Sequence, residues 1–506
     1  MIVTYIVIGI VTFILYIKWR QTYWHRKGVP GPEPEFFFGH FREVVLKKIS
    51  PGESLLKRYQ ELRKLNLKYA GTYVFWQPTL LLMDPELIKQ VVQKDFNYFM
   101  DRGIYHHSKD ILTMNLVNLE GEKWRELRGK LTPTFTSGKM KMMFETLLEK
   151  TEGLEKLAAS YAAKKEPFAI KDVLCRFTTD IIASCAFGID CNSLEDPDNI
   201  FRKYGKKVFE PNVARFWLTG IVPWKLLGYL GFKLAGYEVT NFFTNIVKET
   251  IKTREANEIF RKDFMHLLLQ LKNQGVTSDS AKVKGELNTK ENQLLSEDDI
   301  IAQCFIFFLA GFETSSSTMT FALLELGQNL DVQEKLRQEI NKVLDKHNGK
   351  ITYEAVMEMH YLEKVINETL RKFPPVAALP RTCTKEYTIP GTNLVIEKGT
   401  RIQIPTWGIH RDPEYYPNPE VFDPERFSEK NKASRPDFTF LPFGEGPRIC
   451  IGLRFGMLES KVGLITLIRN FKFTLSKKTA LPIQMATGGG LIISVKGEVW
   501  LDATKI

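Results

Sequence analysis

The sequence has few cysteines, and they lack the paired spacing that metal sites use. Six occur among 506 residues, and no two of them form a C-x-x-C pair, which excludes the usual structural zinc and iron–sulfur sites. A chain with so large an apolar content needs no disulfide framework, so we expect a cytosolic, reducing environment and four or five simply buried thiols. The six are Cys175, Cys185, Cys191, Cys304, Cys383 and Cys450.

Two further absences concern nucleotides and nucleic acids. No G-x-G-x-x-G follows a strand-like run, so the chain offers no nucleotide-binding domain of its own. The body also has no stripe or tail of Lys and Arg. The formal charge is +11, and four of these charges lie in residues 18–27, where no acid occurs. We therefore expect no nucleic-acid partner.

Residues 1–17 contain no charge and would span about 25 Å as a helix, near the lower limit for crossing a bilayer. A cleavable signal peptide would carry its positive charge before the apolar run, whereas here the charge follows it. The segment therefore predicts a single-pass anchor with the body on the cytoplasmic side, and a buried N-terminal helix is the alternative. Residues 18–35 read as a basic flank and a proline-rich hinge, which leaves residues 36–506 as the body.

The body is dominated by helical periodicity with a minor β region. We expect two short strands around Gln77-Pro78, and then a helix that begins at Asp84. The polar stretch 273–293 predicts a surface loop, with a linker between two domains as the alternative. Strand signals return at 387–405. Together these patterns predict a mainly α fold with a minor β region (α+β) and one compact body.

One helix is predicted to cross the whole body. Ser296 and Asp299 form a capping box, and no proline interrupts the run from 300 to 329. Its apolar part is too short and too polar for a second membrane span, so a buried central helix is favoured. Glu313 and Thr314 lie in its middle, where a buried helix normally stays apolar. They either serve a function or face solvent.

The strongest local pattern surrounds Cys450. Glycines at 444 and 446 together with Pro447 predict a tight turn, and an apolar helical pattern begins directly after the cysteine. A sulfur at a helix N-terminus, near the cation of Arg448, is placed to become a thiolate. A catalytic cysteine nucleophile is the competing interpretation, but it needs a histidine partner that the sequence does not indicate.

Five motifs in order make the chain resemble the cytochrome P450 monooxygenases. They are Trp124 with Arg128 (W-x-x-x-R), Ala310 to Thr314 (A-G-x-D/E-T), Glu368 to Arg371 (E-x-x-R), Pro424 to Phe427 (P-E-R-F) and Phe443 to Gly452 (F-x-x-G-x-R-x-C-x-G). The stretches 131–141, 307–316 and 442–448 look most like the insect microsomal enzymes of family six, a group associated with detoxification of plant toxins and insecticides.

The resemblance implies a cytochrome P450 fold in which the long helix passes over haem b. Cys450 would be the iron ligand, and Thr314 and Glu313 would handle protons at the catalytic site. The haem propionates would be bound by Trp124, Arg128, Arg381 and Arg448, with Phe443, Gly444, Ala310 and Gly452 also beside the haem. Glu368, Arg371 and Arg426 would form a structural triad that fixes the loop before the cysteine.

The same resemblance implies partners and a membrane. Electrons would come from NADPH through a cytochrome P450 reductase, with cytochrome b5 as a second candidate donor. A basic surface either steers this partner or is an ordinary solvated face; its residues are Lys123, Arg125, Lys130, Lys139 and Lys141. The location would be the cytoplasmic side of the endoplasmic reticulum (microsomal) membrane. Residues 213–232 would dip into the bilayer, unless they form a buried helix pair.

A lipophilic substrate is expected, either a xenobiotic such as an insecticide or plant allelochemical, or an endogenous lipid or hormone. The predicted pocket walls are Ile111, Met114, Leu116, Val117, Phe305, Phe308, Val376, Ala377, Leu379 and Gly488. Two other functions stay open at this point: a haem-thiolate isomerase or lyase that acts on peroxides without a reductase, and a non-enzymatic haem carrier.

Overall fold

The computed structural model describes residues 1–209, 213–274, 294–488 and 492–506. It is mostly helical (57%) with small sheets, which confirms the predicted mainly α fold class. Most of the polar stretch predicted as a loop, residues 275–293, lies outside the described residues.

The helices of the first half are α1 (Ile2–Gln21), α2 (Tyr23–Arg26), α3 (Arg42–Val45), α4 (Pro51–Arg63), α5 (Pro85–Lys89), α6 (Gly121–Leu131), α7 (Ser137–Lys164), α8 (Ile170–Ile182), α9 (Ile200–Phe209), α10 (Val213–Ile221), α11 (Trp224–Tyr229), α12 (Tyr237–Ala256) and α13 (Phe264–Gln274). Those of the second half are α14 (Glu297–Gln328), α15 (Leu330–Lys346), α16 (Tyr353–Glu358), α17 (His360–Lys372), α18 (Thr406–Ile409), α19 (Glu429–Ala433) and α20 (Leu453–Asn470).

The strands are β1 (Tyr69–Val74), β2 (Gln77–Leu82), β3 (Phe168–Ala169), β4 (Leu379–Thr382), β5 (Tyr387–Thr388), β6 (Val395–Ile396), β7 (Arg401–Ile404), β8 (Phe471–Leu475) and β9 (Trp500–Lys505). They form a four-stranded sheet in the order β1-β2-β7-β4, a three-stranded sheet β3-β9-β8 and the pair β5-β6. The turn between β1 and β2 is at Phe75 and Trp76, so the predicted turn at Gln77-Pro78 was two residues late. Pro78 lies inside β2 on the side that pairs with Tyr73.

The N-terminal segment forms a continuous helix whose side chains are exposed along most of its length and buried near its C-terminal end. Most side chains from Ile2 to Tyr16 are exposed, whereas Ile17 and Gln21 are buried against the body. Trp24 of α2 is also buried, and its indole Nε1 donates to the Thr72 carbonyl at 3.0 Å. The predicted basic flank therefore packs on the first sheet, because the aromatic side chains of Tyr23 and Trp24 are buried there.

Two helices are long and apolar enough to cross a membrane by length and composition among the described residues, α1 and α14. Only α1 is exposed, since most of α14 is buried. The capping box at the start of α14 is present as predicted, with Ser296 accepting from the Asp299 N–H at 3.1 Å. Helices α8, α12, α17 and α20 pack around α14, which makes it the centre of the core.

Candidate active site

The loop before Cys450 is held in a shape that the sequence specifies. The Cys450 N–H donates to the Phe443 carbonyl at 2.9 Å and closes the turn. Gly446 has a φ of +74°, and a Cβ there would overlap the Val92 carbonyl oxygen, so only glycine fits. Gly452 precedes α20, so the sulfur lies three residues before the first helical residue, Leu453, at the N-terminal end of that helix.

A buried ion-pair network lies beside this loop and helps to hold it in place. Glu368 and Arg371 of α17 are completely buried, and the guanidinium donates twice to the carboxylate at 2.7 and 2.8 Å. Arg426 lies 3.4 Å from the same carboxylate, and the Asp423 N–H donates to it at 2.9 Å. The structure thus brings the three predicted triad residues together.

His410 connects the network to the loop, a role that the sequence analysis missed. Arg371 donates to the His410 carbonyl at 3.0 Å, while His410 Nε2 accepts from the Leu441 N–H at 2.7 Å. Burial and the Arg371 charge lower the pKa of His410 to about 3, so its ring is neutral and Nε2 stays an acceptor.

Four arginines converge beside the cysteine loop. Arg448 stacks 4.3 Å from the Trp124 ring and donates to the carbonyls of Val117 and Leu119 at 3.2 and 2.6 Å. Arg102, which the sequence analysis missed because no motif contains it, donates to the Arg448 carbonyl at 3.2 Å. Arg381 on β4 and Arg128 on α6 complete the group.

The arginine cradle, formed by Arg102, Arg128, Arg381 and Arg448, concentrates buried positive charge. Burial lowers the pKa of all four guanidinium groups, to about 10, 9 and 8 for Arg102, Arg381 and Arg448. Neighbouring arginines lower the pKa of these last three further, while Asp101 and Glu120 act in the opposite direction on Arg448. Among the residues that the structure describes, none of the four forms an ion pair with a protein carboxylate, and the Nε atoms of Arg381 and Arg448 are buried without a partner. Two carboxylates of a bound group would satisfy them, and haem carries two propionates.

Cys450 differs from the other five cysteines. Those five are buried and free of disulfides, as predicted, whereas the Cys450 side chain is exposed. Although the residue has exposed surface, the protein around the sulfur desolvates it and raises the pKa of Cys450, while the Gly452 N–H, Arg102 and Arg128 act in the opposite direction. A bound metal cation is the group that would deprotonate this thiol.

The middle of α14 combines exposed and polar residues within an otherwise buried helix. Ala310 is exposed and Thr314 half-buried, although the helix around them is core, so this face borders open space inside the body. The Thr314 hydroxyl donates to the Ala310 carbonyl. A Cβ on Gly311 would lie 2.5 Å from Ile182 of α8, so the small residue allows the two helices to cross closely.

Glu313 faces away from solvent, as the functional interpretation of this pair requires. Its side chain is 9% exposed, and Oε1 accepts from the Ser494 hydroxyl at 2.9 Å. Burial raises the pKa of Glu313, while the Lys171 charge and the hydroxyls of Ser494 and Ser317 lower it.

The predicted pocket residues divide into two groups. Half-buried side chains that can meet a ligand are those of Ile111, Met114, Val117, Val376 and Leu379, and Gly488 is also half-buried. Leu116 and Phe305 are 5% exposed. Phe308 is fully enclosed by other aromatic rings, and the Ala377 methyl group packs towards Gly52 of α4. Core packing therefore occupies the surfaces of these last two side chains.

The arrangement of a loop cysteine, an unpaired arginine cradle and a central helix with an acid and a hydroxyl defines a haem-thiolate protein. The family described as Cytochrome P450 matches residues 29–500. Cytochrome P450 6k1 of Blattella germanica is 41% identical over 96% of this chain and 94% of its own length. Probable cytochrome P450 6a13 of Drosophila melanogaster is 43% identical over 96% of both chains, and cytochrome P450 6a2 of the same organism is 40% identical over 99% of both.

The chain therefore belongs to the cytochrome P450 family, and its relatives are insect family-six proteins. Membership makes it an oxidoreductase of the monooxygenase type that binds haem. Proteins of this family generally use a redox partner and lipophilic substrates, and they are typically bound to the endoplasmic reticulum membrane.

Proposed function

We propose that this protein inserts one atom of dioxygen into lipophilic small molecules, with electrons from NADPH delivered by cytochrome P450 reductase. The observation that carries the proposal is the arginine cradle beside an exposed Cys450. Within the described part of the chain, none of its four guanidinium groups forms an ion pair with a carboxylate, and the Nε atoms of Arg381 and Arg448 are buried without a partner. Cytochrome b5 is a second candidate donor. A xenobiotic, such as an insecticide or plant allelochemical, is the substrate class we favour over an endogenous lipid or hormone, because the relatives belong to family six.

The residues have separate tasks in this proposal. The arginine cradle and Trp124 would hold the propionates of haem b, and Cys450 would be the iron ligand, beside Phe443, Gly444 and Gly452. Bound haem with a thiolate ligand supplies cleavage of the O–O bond of dioxygen. Thr314 holds a water molecule at the Ala310 face of α14, and Glu313 supplies protons to it, a role suited to a buried carboxyl with a raised pKa.

Membrane attachment uses one side of the body. The Phe13 ring on α1 contacts Trp76 at 5.7 Å, and Gln77 next to it donates to the Gly220 carbonyl of α10 at 2.5 Å. Exposed apolar side chains on the following helices extend this side: Leu218, Ile221, Leu226, Tyr229 and Leu230. We propose that residues 1–17 span the endoplasmic reticulum membrane, that residues 213–232 enter its cytoplasmic leaflet and that residues 36–506 form the haem domain.

The electron donor would dock on the basic surface of α6 and α7, which was defined above by Lys123, Arg125, Lys130, Lys139 and Lys141. Lys123 and Arg125 of α6 are exposed, although Arg125 is paired with Glu122 at 2.7 Å. Lys141 is exposed and paired with Glu354, and the remaining members, Lys130 and Lys139, are half-buried. Exposed ion pairs of this kind contribute little energy, so an acidic partner can displace them.

The test is turnover of a lipophilic probe by the membrane-bound enzyme with purified reductase and NADPH. We expect product only when NADPH, oxygen and reductase are all present. In T314A, oxygen consumption should continue while much of it appears as hydrogen peroxide. Rearrangement or cleavage of a lipid hydroperoxide without NADPH, together with no oxidation of the probe by the complete system, would favour the isomerase or lyase. Haem binding without any product would favour a haem carrier.

A further inference from the structure

Glu313 is held by a residue from the far end of the chain. Ser494 lies 181 positions away in sequence, in the C-terminal segment defined here as residues 492–499, and its hydroxyl donates to Oε1 at 2.9 Å. Both side chains are about nine-tenths buried, at 9% exposed each. Inside the protein, a hydrogen bond to a carboxylate is among the stronger single contacts, so Ser494 fixes where this carboxyl points.

The backbone around Ser494 is itself fixed on several sides. The Ile493 N–H donates to the Pro375 carbonyl at 2.9 Å, and the Ser494 carbonyl accepts from the Ala486 N–H at 2.8 Å. Lys171, in the first turn of α8, donates from Nζ to the Val495 carbonyl at 2.9 Å. The Ser494 hydroxyl is therefore held rigidly between α8 and α14.

Charged and titratable groups lie around Glu313. Lys171 is the cation that acts on the carboxyl, burial and the Glu313 charge raise the pKa of the Cys175 thiol of α8, and Ser317 lies one helical turn further along α14.

Glu498 of the C-terminal segment is half-buried, and its Oε2 is unpartnered among the described residues. The charges of Lys171 and Asp172 act on Glu498, and Asp172 in turn pairs with Arg176, Arg202 and Lys206. The neighbouring residues Lys496 and Gly497 are exposed, so this segment reaches the surface close to Glu498.

We propose that Ser494 is the positioning residue through which solvent protons reach Glu313, with Lys171 and Glu498 forming the outer entrance. This inference rests on the proposed monooxygenase function and names the outer half of its proton supply. In the step, the Ser494 oxygen accepts a proton from a hydronium ion on its outer side as its own O–H bond breaks. That hydroxyl proton forms the new O–H bond on Glu313 Oε1, so the serine is regenerated neutral and a neutral water molecule remains outside.

The test reads the protonation of Glu313 directly by infrared difference spectroscopy of the haem-loaded enzyme across a pH series. The carboxyl band that disappears in E313Q is assigned to Glu313. In S494A this band should persist to higher pH by about one unit, a tenfold rise in proton affinity, because a hydrogen bond to the charged form is lost. S494T keeps the hydroxyl and should restore the wild-type titration.

Lys171 and a matched surface lysine provide the second comparison. K171M removes the cation that favours the ionised carboxyl, so the Glu313 band should again persist to higher pH. K496M removes an exposed charge from the C-terminal segment and should leave the pH dependence of the Glu313 band unchanged. The solvent deuterium isotope effect on oxygen consumption should rise about twofold in S494A and stay unchanged in K496M and S494T.

Two outcomes separate this inference from the proposed function. If S494A leaves both the Glu313 titration and the isotope effect unchanged, while E313Q and T314A still release peroxide, the Ser494 route is wrong and the monooxygenase function stands. If S494A shifts the titration of Glu313 but wild-type enzyme makes no product with reductase and NADPH, the proposed function fails and the assigned contact remains.

Discussion

Glu459 is the most unusual single residue outside the site. It lies on α20, is completely buried, and neither carboxyl oxygen has a hydrogen-bond partner among the described residues. Burial raises the pKa of Glu459 to about 8, and the nearby Ser315 hydroxyl of α14, which does not meet the distance and angle of a hydrogen bond, acts weakly in the opposite direction. At neutral pH the side chain is therefore mostly the neutral acid, and burying the neutral acid costs much less free energy than burying a carboxylate.

This burial predicts a specific dependence of stability on pH. The folded state holds the proton from the ordinary pKa of 4.5 up to about 8, so unfolding should become easier as pH rises through that window. E459Q cannot ionise, and the free energy of unfolding near pH 8 should rise by roughly 3–5 kcal/mol relative to wild type. Denaturant unfolding of the haem-loaded protein at pH 5 and pH 8 measures the difference.

The matched control is E429Q, because Glu429 is exposed at the surface of α19. E429Q should change the free energy of unfolding by a similarly small amount at pH 5 and at pH 8. Equal stability of E459Q and wild type at pH 8 would contradict the assignment of a neutral, buried acid.

Arg102 carries a prediction about haem retention. If it belongs to the arginine cradle, R102Q should release haem to a scavenger such as apomyoglobin about ten times faster, since a charge-assisted hydrogen bond is lost. R125Q, on the exposed side of α6, is the control and should retain haem like wild type. No difference between the two variants would remove Arg102 from the cradle.

Among the structural elements, the E-x-x-R helix depends on a complete charge network. E368Q would leave Arg371 buried without its carboxylate, and breaking a buried pair in this way costs about 3–5 kcal/mol. We expect E368Q to accumulate without haem, as measured by the ratio of haem to protein absorbance. E420Q removes the exposed partner of Arg411 and should incorporate haem normally.

The elements also show how far the sequence predicts the structure. The start of α14 was predictable because a capping box is a local signal. The cysteine loop was predictable because its backbone turns at position 446 in a way that only glycine allows. Arg102, His410 and Ser494 were not, because each acts through a contact with residues distant in sequence. Burial of Ala377 and Phe308 was also not predictable, because an apolar residue in a core and one in a pocket look alike in sequence.

At the scale of the whole molecule, the N-terminal helix combines an anchor with a packing element. The exposed part ends near Tyr16, whereas Ile17, Gln21, Tyr23 and Trp24 are buried on the body. Deletion of residues 1–14 should therefore weaken membrane attachment and lower the melting temperature only slightly, because it removes just the contact of the exposed Phe13 ring with Trp76. Deletion of residues 1–27 should also lower the melting temperature by several degrees, since two buried aromatic residues are lost.

Membrane flotation and thermal unfolding of the two truncations check this prediction. Some binding should persist in both through the exposed apolar side chains of α10 and α11. An unchanged membrane fraction after deletion of residues 1–14 would contradict the anchor, and equal melting temperatures of the two truncations would contradict the packing of residues 17–24.

The central claim is that Cys450 binds haem iron as a thiolate, and the spectrum of the reduced protein with carbon monoxide tests it most directly. The wild-type protein should show the red-shifted absorption band of a thiolate-ligated haem. C304A, which alters a fully buried cysteine of α14, should keep the band, and C450A should lose it. Persistence of the red-shifted band in C450A would contradict the account.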